Sequence, residues 1–132
     1  MMIDVDKEQE HSLPVLLVSR TDNRVLSDRE NVSEISGLVT TAGMNPVEAV
    51  VLRRNEPAPK FGMGSGKAEE ILHVAESCGA EAIVFEFEIS PTQQRNWETL
   101  TGLTCFDRQE VIIRIFADRA SRGLQNPLRP FM

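Results

Sequence analysis

The chain has 132 residues, of which 41% are hydrophobic, 26% charged and 5% aromatic, enough for one globular domain with its own core and unlike a disordered or collagen-like polymer. No apolar run approaches the ~20 residues of a bilayer-spanning helix, and the acidic start Met1-Met2-Ile3-Asp4-Val5-Asp6 lacks the basic-then-apolar pattern of a secretory signal, so a cytoplasmic protein without a membrane is expected. The net charge of −6 is uneven: residues 1–107 hold 9 basic and 18 acidic side chains, whereas 108–132 hold five arginines against Glu110 and Asp118, which excludes non-specific nucleic-acid binding by the whole surface and confines any RNA contact to the basic C-terminal end.

Residues 1–12 are acidic and aperiodic, and the reading is a mobile tail. A short apolar run at 15–18 predicts a strand covered on both faces, with turn residues from Ser19 to Asp28. From Asn31, Val32, Ile35, Leu38, Val39 and Ala42 fall at helical spacing, and Gly43 is placed to end that helix. A second strand at 47–52 feeds a loop containing Pro57 and Pro59. Ser65 is the expected cap of a second helix whose inward stripe is Ile71, Leu72, Val74, Ala75 and Cys78, ended by Gly79. A third strand follows at 82–85. Ser90-Pro91-Thr92-Gln93 then combines an N-cap serine, proline at the first helical position and glutamine at N3, so a third helix runs from there to about Gly102. A short fourth strand at 103–106 leads into a fourth helix from Glu110 to about Arg122, and Pro127 and Pro130 leave 126–132 irregular. Strands alternating with helices predict an α/β domain over 13–125, a three-layer α/β/α sandwich around a four-stranded, mostly parallel sheet.

Cys78 and Cys105 lack CxxC spacing, and neither His11 nor His73 has metal-ligand spacing, so the thiols and His73 read as structural residues and no metal is expected. No serine sits in a nucleophile elbow. The glycine-rich stretch Gly62-Met63-Gly64-Ser65-Gly66-Lys67-Ala68 fails as a Walker loop, with three residues between Gly62 and Gly66 and Ala68 where Ser or Thr would bind magnesium, and it fails as a dinucleotide fingerprint. Gly64, Ser65, Gly66 and Lys67 at a helix start remain open to two readings: a structural turn, or a contact for an anion or RNA phosphate opposed by Glu69 and Glu70 in the first turn. Glu86 and Glu88 flank Phe87 at the binding edge of a parallel sheet, as solvated acids or as cation or acid–base groups. Gln94 and Arg95 are candidate surface contacts, and Trp97 reads as core. Arg108, Arg114, Arg119 and Arg122 recur along the fourth helix as a basic stripe opposite its apolar one, either a solvated face or an RNA-facing edge.

Three blocks, Gly64-Ser65-Gly66-Lys67-Ala68-Glu69-Glu70, Ile89-Ser90-Pro91-Thr92-Gln93-Gln94-Arg95-Asn96 and Phe106-Asp107-Arg108-Gln109-Glu110-Val111-Ile112-Ile113-Arg114-Ile115-Phe116-Ala117-Asp118-Arg119-Ala120, resemble the N-terminal domain of the HflX-type GTPases over about Asn31 to Gln125. The resemblance implies a nucleotide-binding-like α/β domain that works with the large ribosomal subunit and its rRNA, contacted here by Gln94, Arg95, Arg108, Arg114, Arg119 and Arg122. In that family the helix from Glu110 extends into a long arm followed by a G domain holding GTP and magnesium. Asn126-Pro127-Leu128-Arg129-Pro130-Phe131-Met132 departs from the pattern, so the expectation is no cofactor and no GTP hydrolysis in this chain. Bare apolar surface on the fourth helix would favour self-association. The alternative is an adenine-nucleotide binder using Gly62 to Lys67, as has been suggested for the family.

Overall fold

The computed structural model describes the backbone of residues 12–20, 25–53 and 58–125 and the side chains of 12–20, 29–53 and 58–119. The tails expected at 1–11 and 126–132 lie outside the described residues. Four strands and four helices alternate as predicted: β1 (Leu13–Arg20), α1 (Val25–Thr41), β2 (Met44–Leu52), α2 (Ser65–Cys78), β3 (Ala82–Phe85), α3 (Pro91–Thr101), β4 (Thr104–Asp107) and α4 (Arg108–Gln125). The strands form one sheet in the order β2-β1-β3-β4, and every pairing is parallel.

Because successive strand side chains point to opposite faces, each face collects its own half of the core. Val15, Leu17, Ala82, Val84 and Phe106 meet Ile35 and Val39 of α1 and Val111 and Ile115 of α4. Leu16, Val18, Ile83, Phe85 and Cys105 meet Ala68, Ile71 and Ala75 of α2 and Trp97 of α3. Both faces of the two central strands are therefore buried, which is why 15–18 and 82–85 are unbroken apolar runs.

Several boundaries differ from the sequence reading for physical reasons. β1 extends to Arg20 because β2 offers partners as far as Leu52. β2 begins at Met44 and carries Pro46, tolerated because the strand lies at a sheet edge, and the register skips Val47, a bulge between Val15 and Leu16. α1 starts at Val25, inside the stretch read as turn. At α2 the cap is Gly64 and Ser65 is the first helical residue; no side chain caps this end. α4 starts two residues early, because buried Asp107 accepts the Glu110 amide on Oδ1 at 2.9 Å and so caps the helix. The Ser90 capping box is present as predicted, as is the left-handed Gly79 (φ 72°) that ends α2.

Candidate functional site

The connection from β1 leads to β2 on one side and β3 lies on the other, so the carboxyl ends of β1 and β3 border a topological switch point, where open α/β sheets place their ligands. Here the chain's own side chains fill the crevice. Ser19, 1% exposed, donates to Glu86 Oε1 at 3.2 Å, and the Glu86 amide donates to Val18 O at 2.8 Å. Arg108 approaches the same carboxylate, Nη1 to Oε2 3.7 Å, and pairs with Glu34 of α1. Arg20 stacks over Phe87, 3.8 Å from the ring centroid, and donates to the Gly62 carbonyl at 3.4 Å. Burial pulls the Arg20 pKa down from its ordinary value, and the Glu86 charge opposes that shift. A groove of about 190 Å³ remains beside this network, lined by Glu86, Glu88, Arg108, Gln109 and Ile112.

The glycine-rich loop arrives at the same edge and is fastened from α3. Gln93 Nε2 donates to Pro59 O (3.3 Å), Asn96 Nδ2 to Lys60 O (2.8 Å) and Trp97 Nε1 to Phe61 O (2.9 Å). With Arg20 on Gly62, four consecutive carbonyls each accept a side-chain donor. Three of those donors sit on one helix face because positions i, i+3 and i+4 share it. Gly62 has φ 82°, a left-handed conformation that disfavours any side chain. Trp97 is fully buried and packs on Phe61 and Phe85, centroids 5.2 and 5.0 Å away.

Beyond the loop, Gly64, Ser65, Gly66 and Lys67 are exposed around the start of α2, and Lys67 Nζ lies 3.0 Å from Glu70. Glu69 and Glu70 fall past the first turn, so the repulsion expected there is weaker than the sequence suggests. This amide end has the polarity that attracts anions, while its lysine is drawn along the helix. Among the described residues no group of three His, Cys, Asp or Glu is arranged for a metal.

The proposed RNA contacts are spread over two helices. Arg95 is exposed on α3, whereas Gln94 is half-buried and donates to Cys105 O (2.6 Å) and Glu110 Oε1 (2.8 Å). On α4, Arg114 and Arg119 are exposed, and Arg114 lies 5.1 Å over the Phe106 ring. Arg114 lies six positions after Arg108, which at 3.6 residues per turn puts them on different flanks of the helix. The arginines flank the buried stripe rather than oppose it; the side away from the sheet presents Ile113 and Phe116, 61% and 62% exposed. The side chain of Arg122 lies outside the described residues. His73 is exposed beside Glu76, Cys105 is buried and Cys78 partly buried.

Sequence reasoning missed Ser19, Arg20, Asn96 and Asp107. Asp107 carried a usable signal, an Asp three residues before Glu110 at a helix start. The others act across 36 to 67 residues of chain, which no local pattern reports.

Residues 29–117 match the family described as GTP-binding GTPase N-terminal. The chain is 38% identical to GTPase HflX of Escherichia coli K12 over 93 residues, covering 70% of this chain and 22% of that protein. It is 40% identical over 87 residues to GTPase HflX of Treponema denticola (66% and 22%), and 36% identical over 114 residues to GTPase HflX of Lacrimispora saccharolytica (86% and 26%). It thus spans about a quarter or less of the curated relatives it matches. A crystal structure of a variant of SsGBP superimposes with a TM-score of 0.58 at 20% identity, covering 80% of this chain and 32% of that one, a likeness of fold.

Proposed function

Since the chain belongs to the GTP-binding GTPase N-terminal family, that of the HflX GTPases, we propose that it is a cytoplasmic ribosome-interaction module that contacts the RNA of the large subunit and hydrolyses no GTP of its own. The observation that carries this reading is the exposed arginine of α4, Arg114 and Arg119, in a chain that is otherwise strongly acidic. Arg95 on α3 adds a further exposed base, whereas Arg108 at the carboxyl edge of the sheet is engaged by Glu34 and Glu86. Exposed bases on α3 and α4 bind phosphate while the acidic remainder of the surface repels it, so contact is confined to these two helices and salt-sensitive.

Co-sedimentation with purified large ribosomal subunits, without nucleotide and at low and moderate salt, tests this. Pelleting that weakens with salt and is lost on combining Arg114→Glu with Arg119→Glu is expected. Arg108 is better left in place, because its pairs with Glu34 and Glu86 hold α4 to the rest of the fold. Full binding by the double variant, or no pelleting at the lowest salt, refutes the assignment.

The uncapped amide end of α2 favours a second reading, an adenine nucleotide whose phosphates lie at Gly64, Ser65, Gly66 and Lys67. Calorimetry with ATP and GTP, with Lys67→Ala as control, decides it: no heat from the wild type ends it. Exposed Ile113 and Phe116 favour contact through α4 with a second chain, and Phe116→Ser should then abolish association.

A further inference from the structure

Charge on this domain follows the direction of the sheet. Every strand runs parallel and is followed by a helix, so the strand ends and helix starts share the carboxyl edge. Outside α4, the described bases gather there. Arg20 ends β1, Arg53 follows β2, Lys60 lies in the next connection, and Arg29, Lys67 and Arg95 fall within the first five residues of α1, α2 and α3. At the opposite edge the last turns of α1, α2 and α3 hold no base, and Gly79-Ala80-Glu81 brings an acid. The helix dipoles have the same sense, with their amide ends at the basic edge. The acids of the carboxyl edge are largely engaged within the fold: Glu86 by Ser19 (3.2 Å) and Arg108, Asp107 by the amides of Ile89 (3.4 Å) and Glu110 (2.9 Å), and Glu110 by Gln94 (2.8 Å); Glu88 is exposed. Arg20 and Arg108 are likewise spent on internal partners, and Lys67 pairs along its own helix with Glu70. Lys60 and Arg95 instead are exposed, and the Asn96–Lys60 hydrogen bond of 2.8 Å brings the loop residue and the α3 residue to one stretch of surface.

We propose that the carboxyl edge carries a second RNA contact, in which Lys60 and Arg95 bind backbone phosphates. The inference rests on the ribosome-module reading and widens its contact beyond α3 and α4. Both bases sit on fixed framework, Arg95 on a capped helix and Lys60 on a loop fastened to that helix, so little freedom is lost when they meet a phosphate. The aromatic rings nearby are covered, Phe61 and Phe85 by burial and Phe87 by Arg20. Without a stacking face the edge reads charge and not base identity, which selects the phosphate backbone over splayed bases. The acidic opposite edge turns away from a polyanion, and so the domain meets RNA with its strand ends forward.

Co-sedimentation of the 132-residue chain with purified large ribosomal subunits, titrated over a range of salt, tests the proposal. Combining Lys60→Gln with Arg95→Gln should weaken binding about tenfold and lower the slope of log affinity against log salt by about two, one for each phosphate contact removed. Exchanging the bases, Lys60→Arg with Arg95→Lys, keeps the charge and should keep both values. Circular dichroism melts verify that the variants are folded. An unchanged affinity or salt slope in the Lys60–Arg95 variant, while Arg114→Glu with Arg119→Glu abolishes pelleting, overturns this proposal and leaves the ribosome reading standing; no pelleting by the wild type removes both. Neutralising the opposite edge, Glu76→Gln with Glu81→Gln, should leave binding unaltered. If it strengthens binding as much as the Lys60–Arg95 variant weakens it, net charge alone is at work and the proposal falls. Pelleting with phosphatidylserine vesicles that depends on Lys60 and Arg95 also overturns it, since the edge would then be a membrane contact.

Discussion

Replacing Trp97 by Phe isolates what the α3 fastening is worth. The indole Nε1 is the donor to Phe61 O at 2.9 Å, and both residues are buried, 0% and 5% exposed. Phe keeps an aromatic ring between Phe61 and Phe85 but removes the donor. A buried carbonyl left without a partner costs about 1–3 kcal/mol, and losing the second ring's apolar atoms costs about 2 kcal/mol more. Together this is about 3–5 kcal/mol, a large part of the ~5–15 kcal/mol that holds a domain folded. Asn96→Ala is the internal control: it removes a donor to the next carbonyl of the same loop from the same helix, but Asn96–Lys60 is exposed, so water substitutes and the loss stays below about 1 kcal/mol. Urea unfolding followed by far-ultraviolet circular dichroism measures both, since Trp97→Phe removes the chain's one tryptophan. Equal losses for the two variants, or under about 1 kcal/mol for Trp97→Phe, would show that burial does not set the value of this contact.

Ser90→Ala removes half of a complete capping box and should cost about 1 kcal/mol in the same unfolding assay; an unchanged midpoint refutes the cap's importance. Desolvation and then the Asp107 charge hold the Glu110 carboxyl above its ordinary pKa, against hydrogen bonds from the Asp107 backbone contact and Gln94. Folding therefore favours protonated Glu110, and this contribution is complete below the unfolded-chain pKa and lost as pH rises through the folded one. Glu110→Gln, which keeps an acceptor for Gln94, should flatten that fall in a series of melts across the acid range, and an unaltered pH profile would contradict it. Burial pushes the Cys105 thiol up to about 12, so a thiol reagent should label partly buried Cys78 in the native protein and Cys105 only on unfolding; two equally fast thiols would refute this.

What could be read from the sequence follows the range of the forces involved. β3 matches its predicted residues, and α3 its predicted start, because burial on both faces and a capping box are written within a few positions. The ends of β1 and β2 depend on what lies beside them: Ser19 and Arg20 become strand by pairing with Val51 and Leu52, and Pro46 joins β2 because its missing amide faces no neighbour that needs it. The arginines of α4 were visible by count, but their disposition required knowing that Val111 and Ile115 are the buried pair. The carboxyl-edge network was illegible for a different reason. Arg20 and Gly62 are 42 positions apart and Ser19 and Glu86 are 67 apart, so neither residue type announces its partner.

The four fastened carbonyls at 59–62 also set the loop's length. Its donors project from rigid framework at helical intervals, while its acceptors follow one another along an irregular chain, so the two series coincide in one alignment. A single residue inserted between Pro59 and Gly62 would offset the carbonyls beyond it from Trp97 or Arg20 together, and a deletion would do the same in reverse. Variation here is therefore confined to exchanges of side chain that leave the number of residues alone, and the start of α2 keeps its place relative to the sheet whatever those side chains become.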